Sequence, residues 1–141
     1  MRKIALLVGS FVLVVVACSG SSSSGTPVKL PGTTADKGTA TISGNSINIE
    51  IDNFFFSPTF IKGTPGATVT VHLTNKGNEP HTFTSAALNV NEQLEPNESK
   101  DVPVTLPASG ASEFHCRFHQ ASDGMQGAFF FTSGDALNSA S

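Results

Sequence analysis

The chain has 141 residues, with 8 Lys and Arg against 11 Asp and Glu and a formal charge of −3. That length suits one small domain with a single core. No basic residues cluster, which excludes the electrostatic footprint of a nucleic-acid-binding protein.

Residues 1–17 read as an export leader. Arg2 and Lys3 form a basic start, and Ile4 to Val16 is an almost unbroken apolar run, short for a membrane span. Val15-Val-Ala-Cys18 resembles the bacterial lipobox. That resemblance implies that Cys18 is lipidated and becomes the new N-terminus; a conventional cleaved leader and an uncleaved anchor are the alternatives. Multiple acyl chains would anchor the protein stably on the extracytoplasmic or periplasmic face of the bacterial cell membrane. Without Arg2 and Lys3 the 8 basic side chains fall to 6 against 11 acidic ones, so the exported chain carries a formal −5. This mildly acidic surface is compatible with a basic partner. Residues 18–41 are expected to be the lipidated terminus followed by a flexible tether, because Ser19 to Gly25 is low complexity and Pro27, Pro31 and Gly32 continue it.

Residues 42–134 read as one all-β domain, with 135–141 a short tail. Ile47-Asn-Ile-Glu-Ile51 alternates with period two, and Thr68 to Thr74 repeats the pattern with Val69, Val71 and Leu73 on one face. Thr82 to Ala86, Lys100 to Leu106, Glu113 to Cys116 and Gln126 to Thr132 are further strands. Pro103 makes the second of these an edge strand or leaves its solvent-side residues irregular. Lys62-Gly-Thr-Pro-Gly66, Asn75-Lys-Gly-Asn78 and Glu95-Pro-Asn97 supply turns. Glu92, Glu95 and Glu98 read as a solvated loop. The spacing predicts a Greek-key β-sandwich or barrel of about seven to eight strands, without a helix longer than a turn. There are 11 Phe and no Tyr or Trp. Consecutive Phe, as in Phe129-Phe-Phe131, must point to both faces of a strand, so some are either less buried or covered by another element.

The chemistry concentrates in Phe114-His-Cys-Arg-Phe-His119 and Gly124-Met-Gln-Gly127, with Pro80-His81 upstream. His81, Cys116, His119 and Met125 supply two imidazoles, a thiolate and a thioether, the donor set of a blue-copper site. Cys116 is expected to be the lone thiol of the folded domain, and metal ligation explains a lone thiol in an exported protein. A buried apolar cysteine and a Cys18–Cys116 disulfide are the alternatives. His72 lies on the strand face opposite Val71 and Leu73, and His115 on the face opposite Cys116, so both read as surface histidines.

The ordered set Asn53-Phe-Phe-Phe-Ser-Pro58, Lys62-Gly-Thr-Pro-Gly66, Asn75-Lys76, Pro80-His81 and the Cys116–Met125 loop resembles the plastocyanin-like branch of the cupredoxins, from about Ile47 to Thr132. The resemblance implies one copper ion cycling between Cu(I) and Cu(II). Cys116, His81 and His119 would be its strong ligands and Met125 the weak axial one. His119 to Met125 is one residue longer than the plastocyanin spacing, so a backbone carbonyl near Glu79 or the Gln120 side chain competes for the axial position. A binuclear centre would need a second cysteine beside Cys116.

These features predict a monomeric, membrane-tethered electron carrier working with redox protein partners, and not an enzyme. Its electrons would pass through the edge of His119, near Pro80, Phe118 and Ala121. A copper-delivery lipoprotein and a metal-free interaction domain are the alternatives.

Overall fold

The computed structural model describes residues 25–139, so the leader, the lipobox and Cys18 lie outside the described residues. Ten strands form two sheets. The first sheet contains β1 (Thr39–Thr41), β4 (Phe60–Lys62), β10 (Gln126–Phe130), β9 (Ser112–His115), β6 (His81–Ser85) and β7 (Val90–Leu94), in that spatial order. The second runs β3 (Phe55–Ser57), β2 (Ser46–Asp52), β5 (Thr68–Asn75), β8 (Ser99–Thr105). The architecture is the expected β-sandwich. The strand count exceeds the expected seven to eight because β1, β3 and β4 have three residues each, too few to display an alternating pattern.

Alternation decides what is buried between the sheets. Val69, Val71 and Leu73 of β5 and Val102 and Val104 of β8 face inward, against Phe83 of β6, Phe114 of β9 and Phe129 of β10. Pro103 lies in β8 at the sheet edge, opposite Thr70, where a residue without an N–H is tolerated. Phe114 is the hub of the aromatic core, with ring centroids 4.8 Å from Phe83, 5.2 Å from Phe56 and 5.4 Å from Phe129. Gly127 permits this approach, since a Cβ there would lie 2.5 Å from the Phe114 ring.

The expected flexible tether does not extend to residue 41. Val28 and Leu30 are buried in a second apolar cluster with Phe60, Ala111, Ala128 and Phe130. The arm continues along the sandwich into β1, which pairs in parallel with β4. This arm is the cover that the Phe129–Phe130 pair requires: Phe129 faces the main core and Phe130 the second cluster. The tail is pinned too, by hydrogen bonds joining Ala111 to Ala136 and Asn138. The folded unit therefore exceeds 42–134 at both ends.

The segment expected to be an acidic loop is partly β7, paired antiparallel with β6. Glu92 and Glu98 lie 3.3 and 3.7 Å from the Lys100 ammonium. Such half-exposed pairs contribute little to stability. Among the described residues no helix is long and apolar enough to cross a membrane.

Candidate metal centre

His81 opens β6 and is fully buried. The turn leading to it is organised by Asn75, whose amide nitrogen donates to the carbonyls of Glu79 (2.9 Å) and Leu94 (3.1 Å) while its oxygen accepts from the Gly77 N–H (2.9 Å). Cys116 directly follows β9. Its carbonyl accepts from the N–H groups of His119 (3.2 Å) and Gln120 (2.9 Å), which turns the chain into the single helical turn α1 (Gln120–Asp123). Gly124 ends that turn in the left-handed region at φ 66°, a conformation glycine adopts without penalty. Met125 then returns to Cys116: the Cys116 N–H donates to the Met125 carbonyl at 3.0 Å. Cys116, His119 and Met125 therefore share one closed loop, and His81 faces it from the neighbouring strand.

The donor atoms of His81, Cys116 and His119 all lie within 4.8 Å of one another. Cys116 Sγ is 3.8 Å from His81 Nδ1 and 3.5 Å from His119 Nδ1. Bonds of about 2.3 Å to sulfur and about 2.0 Å to nitrogen, meeting at about 120°, would separate the donors by about 3.7 Å. The three side chains therefore fit a thiolate–imidazole metal centre. Met125 is fully buried beside them, and a soft thioether completes a set suited to copper. Cys116 is a free thiol, fully buried, and its sulfur accepts a hydrogen bond from the Thr82 N–H at 3.4 Å. Thr82 Oγ1 accepts in turn from the Arg117 N–H at 2.9 Å, stitching the His81 strand to the Cys116 loop.

The second nitrogen of His81 is also fixed. Its Nε2 lies 2.9 Å from Asn53 Oδ1, an acceptor, so Nε2 carries the proton and Nδ1 keeps its lone pair toward Cys116. Burial, then the neighbouring His119, hold the His81 pKa below its usual value, outweighing Glu79 and Asp52. Both causes favour the neutral imidazole, the form that ligates. Asn53 is steadied by Asn78, to which its amide nitrogen donates. Gly77 makes room, since a Cβ there would stand 2.3 Å from Asn53 Oδ1 and 3.0 Å from His81 Nε2. Asn53 and Gly77 were legible only as parts of a motif and a turn; their role depends on a contact across 28 residues of chain. Asn53→Leu is expected to weaken metal binding about 10–100-fold, the usual cost of removing a group that orients a ligand histidine. Competition against a chelator of known affinity measures this, and an unchanged affinity would show that Asn53 does not orient His81.

His119 is the ligand candidate nearest solvent, with 16% of its side chain exposed and its Nε2 3.5 Å from the Glu79 carboxylate. Phe54 packs over the pair, with ring centroids 4.4 Å from His119 and 6.0 Å from His81. Beside them Phe118 is the one large hydrophobic exposed among the described residues. Gln120 turns to Glu113 and Gln126, and the Glu79 carbonyl is engaged by Asn75. The other two histidines stand apart from the group. His72 pairs with Asp101 across the outer face of the second sheet, and half-buried His115 pairs with Glu113.

A family model described as a cupredoxin-like domain matches residues 11–129. Solved structures similar in fold include the dithionite-reduced auracyanin of Roseiflexus castenholzii, at 16% identity and TM-score 0.54, covering 64% of this chain and 98% of that one. Auracyanin B is similar at 17% identity and TM-score 0.53, covering 73% and 93%. A blue copper oxidase from Nitrosomonas europaea is 16% identical with TM-score 0.53, and the match covers 67% of this chain but only 39% of the oxidase. No curated protein matches the chain in sequence.

Proposed function

The chain belongs to the cupredoxin-like domain family, and from that premise we propose that it is a blue copper protein carrying single electrons between redox partners. The observation that carries this reading is the convergence of Cys116 Sγ, His81 Nδ1 and His119 Nδ1 at the end of the sandwich, with Cys116 and His81 buried. Copper bound there supplies a one-electron couple. The protein's part is to fix the donors in advance and exclude water. Asn53 and Asn75 hold the His81 side, the backbone bonds of the Cys116–Met125 loop hold the other, and Phe54 covers the histidines. Such pre-organisation keeps rearrangement small when the charge changes. Electrons pass through the edge of His119, which meets solvent beside Phe118.

In this reading Met125 would hold the copper as its fourth and weakest donor. Its rivals are directed elsewhere: the Gln120 amide nitrogen donates to Glu113 and Gln126, and the Glu79 carbonyl accepts from Asn75. Replacing the thioether with a hydrocarbon takes away a weak donor and leaves a more apolar site, which disfavours the more highly charged oxidised ion. Met125→Leu is therefore expected to retain copper and raise the reduction potential. An unchanged potential and spectrum would remove Met125 from the ligand set.

Similar domains occur inside larger oxidases, but the chain spans nearly all of an auracyanin and 39% of the Nitrosomonas oxidase. We favour the carrier reading over an enzyme because the likeness to an auracyanin runs over 98% of that protein's length. We place it on the extracytoplasmic face of a bacterial membrane, held through lipidated Cys18, on the strength of the leader and lipobox-like sequence. The fully buried Cys116 and His81 favour retention over delivery of the metal. With copper bound, ascorbate should bleach the colour reversibly while a chelator leaves the metal in place. Rapid loss of copper to the chelator would favour the delivery function instead.

A further inference from the structure

We propose that the N-terminal arm from Pro31 to Lys37 is a brace for the metal loop, with Gln126 as the positioning residue that joins them; this rests on the copper-site reading above. Gln126 follows Met125 and is 1% exposed. Its amide nitrogen lies 2.7 Å from the Pro31 carbonyl, 2.8 Å from the Thr33 carbonyl and 3.1 Å from Thr34 Oγ1, sharing its two hydrogens among three acceptors. Its oxygen accepts from Gln120 at 3.1 Å. On the other side of Met125, the Gly124 carbonyl accepts from the Ala35 N–H at 2.9 Å. The arm is so close at Gly124 that a Cβ there would stand 2.5 Å from the Thr33 carbonyl oxygen. Farther along, Thr59 Oγ1 accepts from the Lys37 N–H at 2.7 Å.

Met125 is thus flanked on both sides by residues hydrogen-bonded to the arm. The loop needs such support. Its α1 turn has four residues, none of them buried, and one turn of helix does not hold itself together in water. Its start is tied to Cys116 and its end to the arm. Displacing the arm removes the ties on both sides of Met125 and leaves its backbone bonds to Cys116 and His119 as what holds that end of the loop. The arm from Pro31 to Lys37 therefore helps set the position of Met125 relative to the thiolate and is mechanically continuous with the metal site.

The test compares full-length Gln126→Met, Gly124→Ala and a control, Val102→Ala, in the core face of the opposite sheet. In the metal-free protein, amide exchange at Ala35 is expected to rise about tenfold in Gln126→Met, the effect of losing a net hydrogen bond's worth of protection, and to stay at the wild-type rate in Val102→Ala. In the copper-loaded protein, Gln126→Met and Gly124→Ala are expected to shift the reduction potential and the thiolate-to-copper band, whereas Val102→Ala lowers stability and leaves both in place. Should Gln126→Met fail to fold, Gly124→Ala carries the same readouts. Wild-type Ala35 exchange in the two loop variants, or an unmoved band and potential, overturns the brace. If the wild-type chain takes up no copper, the copper-site reading fails, and Ala35 exchange in the metal-free protein still decides whether the arm holds the loop.

Discussion

Cys116→Ser is expected to abolish the intense visible colour of the copper-loaded protein and weaken metal binding by more than the about 10–100-fold that loss of a supporting residue costs. The sulfur lies 3.5 and 3.8 Å from the two imidazole Nδ1 atoms and is the one soft anionic donor within the cluster. A serine hydroxyl stays protonated near neutral pH, so the site would lose both its negative charge and its covalent bond to copper. The fold itself should survive. The replacement is close in size, and the Thr82 N–H that points at the sulfur can donate to the hydroxyl instead. An unchanged far-ultraviolet circular dichroism spectrum would separate loss of the ligand from loss of the domain. A serine variant that remained blue would remove Cys116 from the centre.

Phe114→Ala is expected to destabilise the domain by about 3–5 kcal/mol, as large-to-small changes of buried aromatic residues do. Phe114 is fully buried and meets Phe56, Phe83 and Phe129, which come from both sheets. Gly127 cannot fill the space left, since it has no side chain to move into it. A domain of this size has a total stability of about 5–15 kcal/mol, so the change would remove a large share of it. Urea unfolding of the metal-free variant measures the loss. A decrease below about 1 kcal/mol would mean that the core collapses around the cavity and that Phe114 is not its hub.

The parts of the molecule that were legible in the sequence are those that a local pattern encodes. Ile47 to Ile51 and Thr68 to Thr74 alternate because one face is buried along their length, and they became β2 and β5. The metal-site candidates stood out because cysteine, histidine and methionine are scarce in this chain and fall near strand ends; the structure brings His81, Cys116 and His119 together with Met125 beside them. What escaped were features that depend on distant partners. Val28 and Leu30 are two isolated apolar residues among Pro, Gly, Thr and Ser. Phe60, Ala111, Ala128 and Phe130, far along the chain, make them core. In β7 the inward positions alternate Val90, Glu92, Leu94, and the central glutamate masked the strand. Asn53 and Gly77 lie in turn-like sequence whose importance appears once His81 is packed against them. Gln126 resembled an ordinary polar residue at a strand start, yet it is buried, with its amide spent on the arm.

The central claim is that His81, Cys116, His119 and Met125 hold one copper ion in a thiolate-bonded electron-transfer site. Titration of the metal-free chain with Cu(II), followed together by visible absorption and electron paramagnetic resonance, tests it most directly. Saturation at one equivalent, with an intense thiolate-to-copper band and a narrow copper hyperfine splitting, is the expected result. Colourless copper with an ordinary wide splitting, or no stoichiometric uptake, would contradict it, because Cys116 would then not be a ligand.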